Sequence, residues 1–150
     1  MRPAAPDDLP FLKRLFLESR EDLAAALEGN PLAEGLMDMQ FRAKTAHYKA
    51  AFPNADERVL TVGDQPIGRL TTIDEGDRFH IVDIAVLRKF QRQGFGTAAL
   101  LRIQSEGAVM GKSVSLTVAL GNPARQLYER IGFQEISRTA TDATMLWTLF

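Results

Sequence analysis

Between residues 91 and 97 the chain reads Gln91-Arg92-Gln93-Gly94-Phe95-Gly96-Thr97, with two closely spaced glycines beside an arginine. Where a strand hands over to a helix, such a turn leaves backbone N–H groups unpaired at the positive end of the helix dipole. Those groups suit a phosphate or pyrophosphate, and glycine lets the main chain approach it closely. The turn therefore predicts a site for a phosphorylated cofactor. Other chemistry is narrowed by composition. There is no cysteine, which excludes disulfides, thiolate metal sites and a cysteine acyl-enzyme. The two histidines, His47 and His80, are too few and too poorly accompanied to suggest a metal site.

The turn needs elements to hold it. Upstream, Phe79 to Leu87 is rich in β-branched residues and reads as a buried strand. Downstream, Ala98, Leu101, Ser105 and Ala108 recur at helical spacing, and Gly111 ends the pattern. Nearer the start, Asp7-Asp8 precedes Leu9, Leu12, Leu15 and Phe16 on one face, which predicts a first helix to about Leu27. Gly29-Asn30-Pro31 breaks it. A second helix carries Leu32, Leu36, Met39, Ala43, Ala46 and Ala50 along one stripe and ends before Pro53.

Arg58 to Val62 and Ile67 to Ile73 read as strands joined by a hairpin turn at Gly63-Asp64-Gln65-Pro66. Asp74-Glu75-Gly76-Asp77 makes the next turn. Ser113 to Ala119 follows as a strand, and Asn122, Pro123 and Gly132 bracket a short helix with Ala124, Leu127, Tyr128 and Ile131 on one face. Phe133 to Arg138 and Thr144 to Phe150 close the chain as an antiparallel pair, and residues 1–5 supply one short strand more. The order predicts an α/β sandwich around a mixed sheet.

A length of 150 residues predicts one compact domain. With 45% hydrophobic and 25% charged residues, composition argues against disorder. Eighteen basic against 19 acidic residues give a net charge of −1, which argues against a nucleic-acid-binding face. The N-terminus lacks the apolar segment of a signal peptide and no later run is long enough to span a bilayer. A cytoplasmic protein without membrane partners is the expectation.

Three phosphate motifs compete. Gly94-x-Gly96-x-x-Ala99 satisfies the dinucleotide fingerprint in form, but Arg88 to Gln93 separates it from the strand. No carboxylate lies near Val118 and Ala119 to hold a ribose. Gly111-Lys112-Ser113 has the end of a P-loop, but Glu106 stands where the first glycine should be. The third fits. Gln91-x-x-Gly94-x-Gly96 resembles the acyl-CoA signature of the GNAT N-acetyltransferase superfamily. A second block, Asn122-Pro123-Ala124-Arg125-x-Leu127-Tyr128-x-x-x-Gly132-Phe133, resembles that family's other hallmark at the expected distance. The match covers about residues 79–133, and the rest agrees in element order.

The resemblance implies a single GNAT domain: a mixed, mostly antiparallel sheet of six to seven strands flanked by about four helices. It implies acetyl-CoA as cofactor, with its pyrophosphate on the backbone of Gln91, Arg92, Gln93, Gly94, Phe95, Gly96 and Thr97. The pantetheine arm would lie along Ile84, Ala85 and Val86, where the strand splays from Ser113–Ala119, with a backbone N–H near Val86 polarising the thioester. Asn122 would cap its helix and touch the pantetheine, and Arg125 belongs to the same binding block. Tyr128 takes the place of the general acid that protonates the departing thiolate, although its apolar face also suits a core tyrosine.

The general base is open. His80 falls where many members carry a carboxylate, and its ordinary pKa suits the task. Asp83 is the other candidate, placed by alternation on the face opposite His80 and also readable as a buried structural acid. Water relay is the third course. An amine acceptor, small molecule or protein, would enter between the two N-terminal helices and the sheet, where Phe41, Tyr48 and Phe52 align to line the cleft or simply to pack. The acidic turn at residues 74–77 would favour a cationic amine, or simply be solvated. The rivals are a non-catalytic acyl-CoA-binding module and a transferase for longer acyl groups. Homodimers are common in the family.

Overall fold

The computed structural model describes residues 1–20 and 29–149. Seven strands form one sheet: β1 (Arg2–Pro3), β2 (Asp56–Val62), β3 (Gln65–Asp74), β4 (Arg78–Val86), β5 (Ser113–Ala119), β6 (Gln134–Arg138) and β7 (Asp142–Trp147). Their spatial order is β1-β2-β3-β4-β5-β7-β6. Every neighbouring pair is antiparallel except β4 and β5. Among the described residues four α-helices join them: α1 (Leu9–Ser19), α2 (Ala33–Ala51), α3 (Phe95–Met110) and α4 (Ala124–Arg130). This is the expected mixed, mostly antiparallel architecture. Of the first helix, the stretch from 21 to Leu27 lies outside the described residues.

One core lies between α3 and the sheet. Leu100 and Ile103 of α3 pack there with Leu70, Ile81, Val114, Leu116 and Met145. Arg58 of β2 reaches the same side and grips Glu106 of α3 with two hydrogen bonds of 2.7 and 2.8 Å. On the opposite face α1 buries Leu15 and Phe16, and α2 buries Met37 and Phe41. The Phe16 and Phe41 rings meet at 5.6 Å between centroids.

The face of α2 differs from the sequence expectation. Leu32 is 75% exposed and Met39 is 61% exposed, while Ala43, Ala46 and Ala50 are also outward. The inner stripe is Met37, Phe41, Lys44 and Tyr48, whose spacing is equally helical. Burying Phe, Met and Tyr removes far more apolar area from water than burying three alanines, so the larger side chains decide the face.

A second correction concerns β4. Across β3 and β4 the register runs Thr71↔Asp83, Thr72↔Ile81 and Ile73↔His80, which leaves Val82 as an extra residue. This bulge breaks the alternation, so Asp83 and His80, opposite Thr71 and Ile73, share the face under α1 and α2. Parallel pairing of β4 with β5 then stops at Ile81↔Leu116. Beyond it, Val82 to Val86 and Thr117 to Ala119 diverge. That split organises the site.

Candidate active site

Alternation along β4 assigns its open polar groups. The N–H of Leu87 donates to Ile67 O of β3 at 2.8 Å, so the main-chain groups of Val86 and Ile84 face the other way, into the split. The Gln91 side-chain amide donates to Val86 O at 2.9 Å. The N–H of Val86 is left pointing at the gap, where a strand neighbour would otherwise have met it.

The split widens into a cleft of about 740 Å³. Ile84, Ala85 and Val86 form one wall, and Gln91, Arg92, Gly94, Phe95, Gly96 and Thr97 another. Gly94 precedes the first turn of α3 with φ of 88°, a left-handed conformation that glycine adopts without strain. The first amides of α3, from Phe95 to Thr97, lie before any intrahelical acceptor. A Cβ on Gly96 would meet only Val86 Cγ2, at 3.8 Å, so the turn is open on its cleft side. Arg88, Arg92 and Arg130 add positive charge to the lining. Free amides, a helix N-terminus and three cations fit a diphosphate well.

Tyr128 of α4 enters the same cleft with Leu127 and Ala124. Its ring packs edge-on against Phe133, 6.1 Å between centroids, and burial pushes the phenol's pKa above its ordinary value. Asn122 positions this helix: its Oδ1 accepts the N–H of Ala124 at 2.9 Å.

Not every expected residue arrives there. Asn122 does not line the cleft, nor does Arg125, which is engaged by Glu129 and Glu135 at 3.1 and 2.9 Å. Gln93 turns back to Lys89 O at 2.9 Å. His80 lies where β4 and β5 are still paired, with Nδ1 2.7 Å from the Oγ of Ser115. Burial lowers its pKa, the charge of Glu75 working against this and that of Arg78 with it. It does not line the cleft.

Asp83 instead sits at the foot of the split, in a second hollow of about 330 Å³ lined by Tyr48, Phe52, Arg69, Thr71 and Val82. There Arg69 Nη2 donates to its carboxylate. Of the expected aromatic trio, Phe41 and Tyr48 line a further hollow of about 380 Å³ beside this one.

A model of the acetyltransferase (GNAT) domain matches residues 55–135, more than half of the chain. This chain belongs to the GNAT acetyltransferase family. Solved structures agree in fold. A PaiA N-acetyltransferase from Thermoplasma acidophilum in complex with coenzyme A superposes with a TM-score of 0.73 at 14% identity, covering 98% of this chain and 96% of that one. An acetyltransferase from Thermus thermophilus gives 0.70 at 21% identity, over 99% and 95%. The ribosomal-protein-S18-alanine N-acetyltransferase from Escherichia coli gives 0.63 at 22%, over 97% and 90%. No match was found among curated protein sequences.

This GNAT domain also uses residues that sequence reasoning missed. Leu15, Glu18 and Ser19 at the end of α1 complete the cleft, and Glu18 Oε1 accepts the N–H of Arg88 at 2.9 Å. That bond ties α1 to the start of the glycine turn. Nothing in the local pattern around Glu18 marks it, because its partner lies 70 positions away. Among the described residues no helix is long and apolar enough to cross a membrane.

Proposed function

We propose that this GNAT domain is an N-acetyltransferase that passes an acetyl group from acetyl-CoA directly to a primary amine, with both bound together. The single observation carrying this reading is the arrest of β4–β5 pairing at Ile81↔Leu116, which opens one cleft lined by both the glycine turn and Tyr128. The amides from Gln91 to Thr97, helped by Arg92, hold the diphosphate of the cofactor. The exposed edge of Ile84 to Val86 pairs with its pantetheine arm. When bound, acetyl-CoA supplies an activated acetyl thioester.

The chain's own groups do the rest. The Val86 N–H donates to the thioester carbonyl oxygen and strengthens as negative charge grows there. Tyr128 delivers its hydroxyl proton to the departing sulfur. Asp83, at the foot of the split, holds the acceptor ammonium until its proton passes to water; pinned by Arg69, it is a better anchor than base. Holding both reactants in one cleft supplies the proximity gain. With no cysteine a thiol relay is excluded, which favours direct transfer.

Calorimetry with CoA, followed by thiol release from acetyl-CoA with a panel of amines, tests this. The protein is expected to bind CoA, to ignore a nicotinamide dinucleotide, and to release thiol only with an amine present. Gly96→Glu, which places a carboxylate among the phosphate-binding amides, should weaken CoA binding at least about tenfold while far-UV circular dichroism is unchanged. Folded protein that takes up no CoA overturns the reading, and CoA binding without turnover on any amine makes the domain a binding module.

A further inference from the structure

The face of the sheet beneath α1 and α2 carries one cation whose donors are only partly met and a second with no carboxylate beside it. Arg69 of β3 has a side chain only 16% exposed. Of its five N–H donors, one meets Asp83, and its Nε is buried without a hydrogen-bond partner. A buried cationic donor without an acceptor is costly, and a bound ligand with lone pairs is one group that relieves that cost. Lys44 of α2 stands over the Phe16 and Tyr48 rings, 5.5 and 5.6 Å from their centroids. No carboxylate lies within ion-pair reach of it among the described residues. Burial draws its pKa down, Asp83 opposes this, and Arg69 and Arg20 add to it.

Arg69 and Lys44 line the same 380 Å³ hollow. Glu57 and Lys49, one of each sign, stand at its exposed rim. Arg69 and Asp83 line the adjoining hollow, which reaches β4 at Val82, the first residue after pairing with β5 has ended. A negative group and two positive ones therefore sit side by side next to the split.

We propose that the acceptor is a small amine bearing a carboxylate a few bonds away, an α-amino acid in the simplest case, its carboxylate held by Arg69 and Lys44 and its ammonium by Asp83. This rests on the acetyl-CoA reading above. A carboxylate supplies the lone pairs that the Arg69 fork lacks, in the planar geometry a guanidinium prefers. A polyamine or aminoglycoside would bring further positive charge against Lys44 and Arg69. The N-terminal residue of a protein has its carboxyl group tied up as an amide and gives these cations nothing to neutralise.

Thiol release from acetyl-CoA is measured with the free amino acids, with their carboxamides and with spermidine, alongside calorimetry with CoA. At least one free acid should exceed its own carboxamide about tenfold to a hundredfold in kcat/KM, the worth of a charged hydrogen bond or two. Lys44→Met and Arg69→Gln should each erase that preference by raising the acceptor KM, with CoA affinity unchanged, and Arg69→Lys should restore part of it. Because Lys44 is only half-buried on a helix, its variant tests the idea even if Arg69→Gln fails to fold. Carboxamides or spermidine turned over as well as the acids, no acid turned over, or a preference that survives Lys44→Met overturns this inference while CoA binding stands. Loss of CoA binding in the unaltered protein overturns the acetyl-CoA reading itself.

Discussion

Burial raises the Tyr128 pKa above its ordinary value near 10, so the proposed general acid is fully loaded throughout the neutral range. An acid is lost only as pH rises through its pKa, so kcat should show no alkaline fall from this group below about pH 10. Tyr128→Phe is expected to lower kcat about a hundredfold while the calorimetric affinity for CoA is retained. An equal loss of affinity would make the residue a packing element. His80 offers the contrast. Its ring is bound to Ser115 and faces no part of the cleft, so His80→Ala should leave the acid limb of the pH–rate profile where it was. A displaced limb would bring it back as the base. The sequence marked the glycine turn and Tyr128 because local spacing carries their meaning. It said nothing of Ser115, 35 positions from His80, and so left His80 with a freedom it lacks.

The elements depend on how closely β3 and β4 approach beside the split. Gly68 of β3 is the tightest point: a Cβ there would stand 2.4 Å from Ala85 O and 3.1 Å from Leu60 Cδ1. The first of these is backbone and cannot swing aside, so Gly68→Ala should push β4 at the residue that walls the cleft. The expected cost is about 1–3 kcal/mol in urea unfolding, with weaker CoA binding if the displaced strand is, as proposed, the one the cofactor pairs with. Lost stability with full affinity would mean that the shift is absorbed on the β2 side. The boundaries of these elements were largely legible from turn residues and periodicity. Two features were not. The Val82 bulge reverses which face Asp83 occupies, and an alternating pattern cannot announce an extra residue. On α2 two helical stripes were equally regular, and only the sheet's need for large apolar side chains chose Phe41 over Leu32.

For the whole molecule, the cleft draws residues from α1, β4, the glycine turn and α4, so its shape relies on the N-terminal segment staying folded over the sheet. Asp8 is the pin. Its carboxylate accepts two hydrogen bonds from Arg2 of β1 at 2.7 and 2.8 Å and the N–H of Ala5 at 2.7 Å. The Arg2 guanidinium, with the Ala5 amide, lowers the Asp8 pKa to about 2. A depressed carboxylate pKa stabilises the fold above the unfolded value, about 3.9, and that contribution disappears as pH falls toward 2. Thermal melts followed by circular dichroism should therefore show the melting temperature dropping between about pH 4 and pH 2. In Asp8→Asn the neutral-pH melting temperature should start lower and the drop across that window should shrink. Glu106, Asp74 and Glu135 are also held below their ordinary values, by Arg58, by Lys112 and by Arg138. They titrate alike in both proteins, so the difference between the two curves isolates Asp8. Parallel curves would mean that the Arg2 guanidinium, itself 43% exposed at the sheet edge, is screened by water too well to anchor the segment.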